Sequence, residues 1–253
     1  MGIETEESRS RVSLLDVPVD IIAPEQIAPL IYDFLQTERD HNIILLSLWD
    51  LLRARKSGEY RDYVFKASLI IPISRSMISG IKFLTGKKAF RYMPFDFIVN
   101  ILTILEKREY SCYIIGGKNR ILQRTEKNIR QTFPKLRLVG RFPGYFKRRD
   151  EATIIQAIKK ASPSLLLAGK GVRGDEKWIA RNSAALGKGV RLWCSDIFDV
   201  FAEKKKYPSR PVFERGFEWI GYCFQKPYKF LRIFRYIHYK ALLFTYRVFL
   251  KNR

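Results

Sequence analysis

The segment "ASLIIPISRSMI" (67–78) has the pattern of an apolar strand that ends at Pro72 and is followed by a loop and a helix. In α/β proteins, reacting groups usually lie at the carboxyl ends of strands. Here that position offers Ile73, Ser74 and Arg75 but no carboxylate, histidine or cysteine. A serine hydroxyl is a weak base unless a neighbour activates it, and the sequence identifies no such neighbour for Ser74.

Asp175 is a second candidate, because it follows another apolar run, "PSLLLAG" (163–169), and precedes a predicted helix. If both runs belong to one parallel sheet, Asp175 can face the same crevice as Ser74. A carboxylate there can accept a proton from a reacting hydroxyl, or it can stabilise the start of the helix. Asp50 is a third candidate base, whereas Asp96 and Asp199 suit the shaping of a pocket.

Glycine turns end two of the predicted strands, in "YIIGGKNR" (113–120) and "LLAGKGVRGDEKWI" (166–179). Glycine lets the backbone approach a ligand closely, and a following helix offers free N–H groups to a phosphate. Gly116 and Gly117 can equally form a tight strand-to-helix turn. Neither GxGxxG nor GxxxxGK[ST] occurs, which argues against dinucleotide and P-loop sites.

Six apolar runs are continuous rather than alternating in polarity, as is typical of strands buried on both faces. They are "NIILL" (42–46), "ASLIIP" (67–72), "SCYIIGG" (111–117), "LRLVG" (136–140), "PSLLLAG" (163–169) and "VRLWCS" (190–195). Segments with helical spacing lie between them, including 24–38, 120–133 and 150–161. The alternation predicts a Rossmann-like α/β fold, with a mostly parallel sheet and helices on both faces.

Composition narrows the class of partner. The chain has 253 residues and a net charge of +22, a field that attracts nucleic acid, anionic membranes or phosphorylated substrates. Its three cysteines are widely spaced and only two histidines accompany them, so we expect neither a zinc site nor disulfides. We expect no signal peptide and no membrane-spanning helix.

The pattern changes near residue 211, which divides a predicted α/β core (1–210) from a helical appendage (211–253). From Phe217 onward there are eight Lys or Arg, one acidic residue and twelve aromatics. This suits an interfacial helix whose cations meet anionic lipid, an ordinary docking helix with a solvated charged face, or a nucleic-acid contact. The last is disfavoured, because no RRM, KH or helix-turn-helix signature occurs. The residues expected at a membrane or lipid-linked acceptor are Trp219, Lys226, Lys229, Arg232 and Arg235.

The order of several pieces is more specific than any one of them. "YIIGG", "FPKLRLVGRFPGYF", "ASPSLLLAGKG", "EKWI" and "GFEWI" follow one another with spacings that resemble the WecG/TagA/CpsF family of bacterial glycosyltransferases, over about residues 12–236. The resemblance implies transfer of a sugar, typically N-acetylmannosamine, from UDP to a polyprenyl-diphosphate-linked acceptor in cell-surface polymer synthesis. It implies inversion, no metal or other cofactor, and a peripheral location on the cytoplasmic face of the membrane.

The resemblance also implies which residues contact the sugar nucleotide. They are Ser47, Arg91, Asp96, Gly116, Gly117, Gly144, Tyr145, Phe146, Glu176 and Asp199.

Several positions depart from the family pattern. Ile73 stands where the family has its proposed catalytic aspartate, and Asp175 replaces a glutamine. Two hypotheses follow. The chain is an active transferase in which Asp175, or less directly Ser74, supplies the base. Alternatively, it is an inactive relative that scaffolds or activates another glycosyltransferase. A homo-oligomer is compatible with either.

Overall fold

The computed structural model of this protein describes residues 9–207, 209–215 and 232–250. Its strands are β1 (Arg9–Leu14), β2 (Val17–Ile22), β3 (Asp40–Leu46), β4 (Leu69–Pro72), β5 (Ser111–Ile115), β6 (Arg137–Phe142), β7 (Leu165–Ala168) and β8 (Gly189–Trp193). Its helices are α1 (Pro24–Gln36), α2 (Leu48–Ala54), α3 (Glu59–Phe65), α4 (Arg75–Thr85), α5 (Pro94–Lys107), α6 (Asn119–Thr132), α7 (Glu151–Ala161), α8 (Lys177–Arg181), α9 (Ser183–Leu186), α10 (Ile197–Phe201), α11 (Arg210–Arg215) and α12 (Arg232–Leu250).

Six strands form one parallel sheet in the order β4-β3-β8-β7-β5-β6. All six correspond to the continuous apolar runs of the sequence, so this prediction is confirmed. Strands β4, β5 and β7 are buried along their whole length, as parallel strands covered on both faces must be. Their carboxyl ends all meet at one edge of the sheet.

Helices cover both faces of the sheet, as predicted. On one face, α2, α3, α4, α7 and α8 contribute to a core that includes Leu51, Met77 and Ile154. On the other face, α1, α5, α6 and α10 enclose a second core around Ile31 and Ile101. Successive strand residues alternate between the two, because side chains along a strand point to opposite faces.

The hairpin of β1 and β2 was not predicted. Its two strands are antiparallel, and the turn residues Leu15 and Asp16 both have positive φ, as a tight hairpin turn requires. Asp20, whose side chain is fully buried, accepts bonds from Arg9, Arg11 and the backbone N–H of Ile70 at 2.7 Å. The hairpin thereby covers the outer edge of β4, which is one of the two edge strands of the sheet.

Helix α12 packs along α4. Tyr239 and Leu243 are buried on its inner side, and the Tyr239 hydroxyl donates to the carbonyl oxygen of Ser76 at 3.0 Å. Within the described parts of the chain, no helix is long and apolar enough to cross a membrane. Trp219, Lys226 and Lys229 lie outside the described residues.

Candidate functional site

A cleft of about 530 Å³ opens at the carboxyl edge of the sheet. The ends of β3, β4 and β8 form its floor, and the loop after β7 contributes one side. A cleft at this edge is the usual ligand site of open α/β sheets. The structure brings six of the predicted site residues into its lining, namely Ser47, Asp50, Ser74, Arg91, Asp175 and Glu176, together with Ile73.

The two walls of the cleft differ in chemistry, because they belong to opposite faces of the sheet. One wall carries Tyr60, Tyr63 and Trp193 together with the carboxylates of Asp50, Asp175 and Glu176. The opposite wall carries Phe95, Tyr207 and Phe213 together with Arg91, Asp196 and Lys205. Aromatic rings on both sides and charges of both signs suit a ligand that is partly planar or sugar-like and partly anionic.

The loop after β4 has no activated base. The Ser74 hydroxyl oxygen accepts a bond from the backbone N–H of Leu48 at 3.0 Å, so it serves the start of α2. Ile73 is fixed on both sides, because its N–H donates to Leu46 at 3.0 Å and its carbonyl oxygen accepts from Arg91 at 2.9 Å. No carboxylate or imidazole of the described residues bonds to Ser74, and its role in proton transfer stays a prediction.

Three of the four carboxylates in the cleft have partners. Asp50 accepts from the Ser47 hydroxyl at 2.5 Å, and Glu176 pairs with Arg53, which stacks on the Tyr60 ring at 3.4 Å. Asp196 pairs with Lys205 at 2.5 Å. Burial alone would raise the pKa of Asp196, but Lys205 and Lys170 hold it below its usual value.

Asp175 differs from these three. Its side chain is exposed at the cleft and has no hydrogen-bond or ion-pair partner among the residues that the structure describes. It lies in the turn before α8 with φ of 53°, rather than at the helix start that the sequence predicts. Aspartate tolerates this left-handed conformation better than most residues.

Cys194 also lines the cleft. Burial, with a smaller contribution from the Asp196 charge, raises the pKa of its thiol to about 12. The thiolate is the reactive form of cysteine, so Cys194 is unsuited to nucleophilic chemistry near neutral pH.

Helix α11 closes one side of the cleft. Arg91 donates to the carbonyl oxygen of Phe213 and lies 3.6 Å from the centre of its ring. Arg75 donates to the carbonyl oxygen of Glu214 at 2.9 Å, and Arg210 pairs with Asp96 at 3.1 Å. Asp96 lies in a neighbouring cleft of about 390 Å³ rather than in the main one.

The loops that contain Gly116, Gly144 and Gly169 lie beside the cleft and pack closely against one another. An added Cβ on Gly116 would lie 2.8 Å from the backbone of Gly169, and one on Gly144 would lie 2.8 Å from the backbone of Gly171. Here glycine allows three loops to pack backbone against backbone. Contact with the sugar nucleotide stays a prediction for the five residues expected here, Gly116, Gly117, Gly144, Tyr145 and Phe146. Of these, Tyr145 is exposed, and the Phe146 ring packs on Trp178.

Asp199 lies behind the cleft wall. It is 4% exposed and pairs with Lys170, the residue that follows Gly169. One of its oxygens, Oδ1, has no hydrogen-bond partner among the described residues, although Lys204 lies 3.8 Å from it. Its predicted contact with a sugar nucleotide stays open.

Sequence reasoning missed most of the aromatic lining. Tyr60, Tyr63, Tyr207 and Phe213 come from segments that carry no local motif, and only the fold brings them to the strand ends. Arg235 of the predicted acceptor set is exposed on α12, 5.8 Å from the Trp49 ring centre, and of Arg232 only the backbone is described.

Comparisons with known proteins identify the family of this chain. The sequence matches the glycosyl transferase WecG/TagA/CpsF family over residues 12–253. It is similar to an N-acetylglucosaminyldiphosphoundecaprenol N-acetyl-beta-D-mannosaminyltransferase of Bacillus subtilis, with 20% identity over 180 residues that cover 71% of this chain and 70% of the relative. A protein of the same description from Staphylococcus aureus is 21% identical over 222 residues, which cover 87% of each chain.

Proposed function

Because this chain belongs to the WecG/TagA/CpsF family of glycosyltransferases, we propose that it transfers an N-acetylhexosamine from UDP to a lipid-linked N-acetylglucosamine diphosphate. The sugar is of the N-acetylmannosamine type, and the reaction takes place at the cytoplasmic face of the membrane without a metal. The main supporting observation is the cleft, which combines cations, aromatic rings and carboxylates at the carboxyl edge of a parallel sheet.

The wall with Arg91 and Lys205 suits the diphosphate of the donor. Both side chains line a partly enclosed site, where charge-assisted bonds to phosphate oxygens are strong. Lys205 now pairs with Asp196, and a bound diphosphate would compete for that cation. The rings of Phe95, Tyr207 and Phe213 lie on the same wall and offer flat surfaces to a base or a sugar.

Helix α12 suits the membrane that carries the acceptor. Phe234, Ile237, Phe244 and Val248 are 66%, 57%, 65% and 45% exposed. Their spacing places them on one stripe, opposite the buried Tyr239 and Leu243. A helix that is apolar on both sides needs a second apolar neighbour besides the core.

Cations lie on the same helix but outside this stripe, since Arg235 lies over the Trp49 ring and Arg247 over the Phe83 ring. Arg235, Lys240 and Arg247 lie on α12, and each cation near an anionic surface contributes roughly 1 kcal/mol to binding. We therefore propose peripheral attachment through α12, with the stripe in the interfacial region of the bilayer.

The test is a transfer assay with the purified full chain in vesicles. UDP-N-acetylmannosamine and other UDP-N-acetylhexosamines are supplied with a polyprenyl-diphosphate-linked N-acetylglucosamine, and both UDP and the disaccharide lipid are measured. We expect UDP release that depends on the acceptor and persists in EDTA. Binding of UDP alone is measured by calorimetry. If the chain neither binds UDP nor transfers any sugar, the proposed activity is wrong.

A second candidate function has one observation in its favour. The loop after β4 presents Ile73 to the cleft, and Arg91 holds this loop and α11 together at their carbonyl oxygens. A relative that binds but does not transfer would act as a scaffold or activator of another glycosyltransferase. UDP binding without turnover, together with co-purification of an active transferase, would favour this alternative.

A further inference from the structure

The carboxylates of the cleft differ in whether they are free to take up a proton. Asp50 is engaged by the hydroxyl and N–H of Ser47, and Asp196 by Lys205 and Lys170. Glu176 is held by Arg53 and its side chain is only 13% exposed. A carboxylate that is bonded in this way must lose its partner before it can accept a proton. Asp175 has no such partner among the described residues of the cleft.

The backbone of Asp175 is nevertheless well fixed. Its N–H donates to Val172 at 3.0 Å, and its carbonyl oxygen accepts from the N–H of Trp178 at 3.0 Å. Val172 and Trp178 are 2% and 1% exposed, and the indole N–H of Trp178 donates to Glu151 at 2.7 Å. The loop therefore holds an unpaired carboxylate at a defined place, which is the arrangement that a catalytic group needs.

Charges next to Asp175 are balanced. Its neighbour Glu176 is neutralised by Arg53, so the two adjacent carboxylates do not repel each other with full charge. Asp175 has a left-handed φ of 53° and lies in the turn just before α8 begins. Unusual backbone conformations of this kind cluster at functional sites.

We propose that Asp175 is the general base of this chain, an inference that rests on the proposed function. The acceptor hydroxyl oxygen attacks the anomeric carbon of the donor sugar, and the bond from that carbon to the β-phosphate oxygen of UDP breaks. The electron pair of the broken bond leaves with UDP. The proton of the acceptor hydroxyl passes to the carboxylate of Asp175 as the new glycosidic bond forms.

Asp175→Asn is the most informative variant, because asparagine has the same shape and also tolerates positive φ. We expect kcat to fall by about 10²- to 10⁴-fold, whereas UDP affinity and the unfolding midpoint stay close to wild type. The acid limb of the kcat–pH profile disappears in the variant. Asp150→Asn removes a carboxylate outside the cleft and keeps wild-type kcat.

Asp175→Gly provides a second readout. Glycine fits the backbone at this position and leaves room for a small carboxylate, so added formate restores part of the activity. A residue with a purely structural role would show no such rescue.

The outcomes separate this inference from the proposed function. If the wild type transfers sugar and Asp175→Asn keeps kcat within about threefold of it, Asp175 is not the base; this threshold is far below the usual general-base effect. If instead Asp50→Asn abolishes transfer with an unchanged unfolding midpoint while Asp175→Asn does not, the base is Asp50. If the wild type neither binds UDP nor transfers sugar, the proposed function fails and this inference fails with it.

Discussion

At the scale of single residues, the cleft is defined by which polar groups are satisfied and which are not. One wall is stiffened by two pairs: Ser47 bonds to Asp50, and Glu176 pairs with Arg53, which also stacks on the Tyr60 ring. Asp175 remains available on the same wall. The sequence could single out Asp175 as a candidate but could not show that Glu176 is paired, because its partner Arg53 lies 123 residues away along the chain, whereas the bond between Ser47 and Asp50 is local.

Tyr63 is another unsatisfied group in the cleft lining. Its hydroxyl is buried and has no hydrogen-bond partner among the described residues, and burial raises its pKa so that the proton stays on the oxygen. Tyr63→Phe removes this buried hydroxyl, so we expect the free energy of unfolding to rise by up to about 1 kcal/mol. Urea denaturation at neutral pH measures the change.

Tyr60→Phe is the matched control for this prediction. Arg53 stacks on the Tyr60 ring at 3.4 Å, and, unlike the Tyr63 hydroxyl, the Tyr60 hydroxyl is not a buried group without a partner, so the same change there gives no gain in stability. A clear loss of stability in Tyr63→Phe would mean that the hydroxyl has a partner, such as an ordered water, and would contradict the prediction.

At the scale of elements, the contact between α4 and α12 connects the cleft to the C-terminal helix. Helix α4 begins at the cleft loop and passes Gly80, whose missing side chain makes room for Tyr239. An added Cβ on Gly80 would lie 2.1 Å from the Tyr239 hydroxyl oxygen. The close fit fixes where α12 sits relative to the cleft.

Gly80→Ala tests this contact. Alanine normally stabilises a helix interior by about 1 kcal/mol over glycine, but here we expect a net destabilisation of about 1–3 kcal/mol because the side chains overpack. Release of α12 is measured by limited proteolysis and hydrogen exchange.

Ser79→Ala, at the adjacent exposed position of α4, is the control and leaves α12 protected. If Gly80→Ala leaves both stability and protection unchanged, Tyr239 moves aside freely and the contact does not fix the helix.

At the scale of the whole molecule, charge and shape act together. In the proposed membrane attachment, the net charge of +22 would attract the chain to anionic surfaces from a distance, and the apolar stripe of α12 would provide the contact at short range. Because α12 is docked on the core, attachment through its outer side would also set the distance of the cleft from the membrane.

The double change Ile237→Ser and Phe244→Ser tests the stripe. Both side chains are largely exposed, so we expect an unchanged unfolding midpoint but a several-fold loss of flotation with phosphatidylglycerol vesicles, since a buried CH₂ contributes about 0.8 kcal/mol. Val139→Ser, which removes an exposed apolar group on β6, should float like wild type. Equal flotation of the double variant and wild type would show that the stripe does not bind lipid.

The six strands, their parallel arrangement and the two helical layers were predictable from the sequence, because continuous apolar runs between segments of helical spacing are typical of a parallel sheet covered on both faces. The sequence also placed Ile73 and Asp175 at strand ends. The β1–β2 hairpin was not predicted, because its turn at Leu15 and Asp16 lacks the usual glycine or asparagine.

Which side chains of the cleft contact one another is evident only from the folded chain. Asp50, Asp175, Asp196 and Glu176 are similar in sequence terms, yet three of them have partners and one does not. Asp50 bonds to the nearby Ser47, but Glu176 pairs with Arg53 through a long-range contact, which local patterns do not encode. The aromatic walls of the cleft and the contact of Tyr239 with Gly80 also depend on long-range contacts, so the sequence did not predict them.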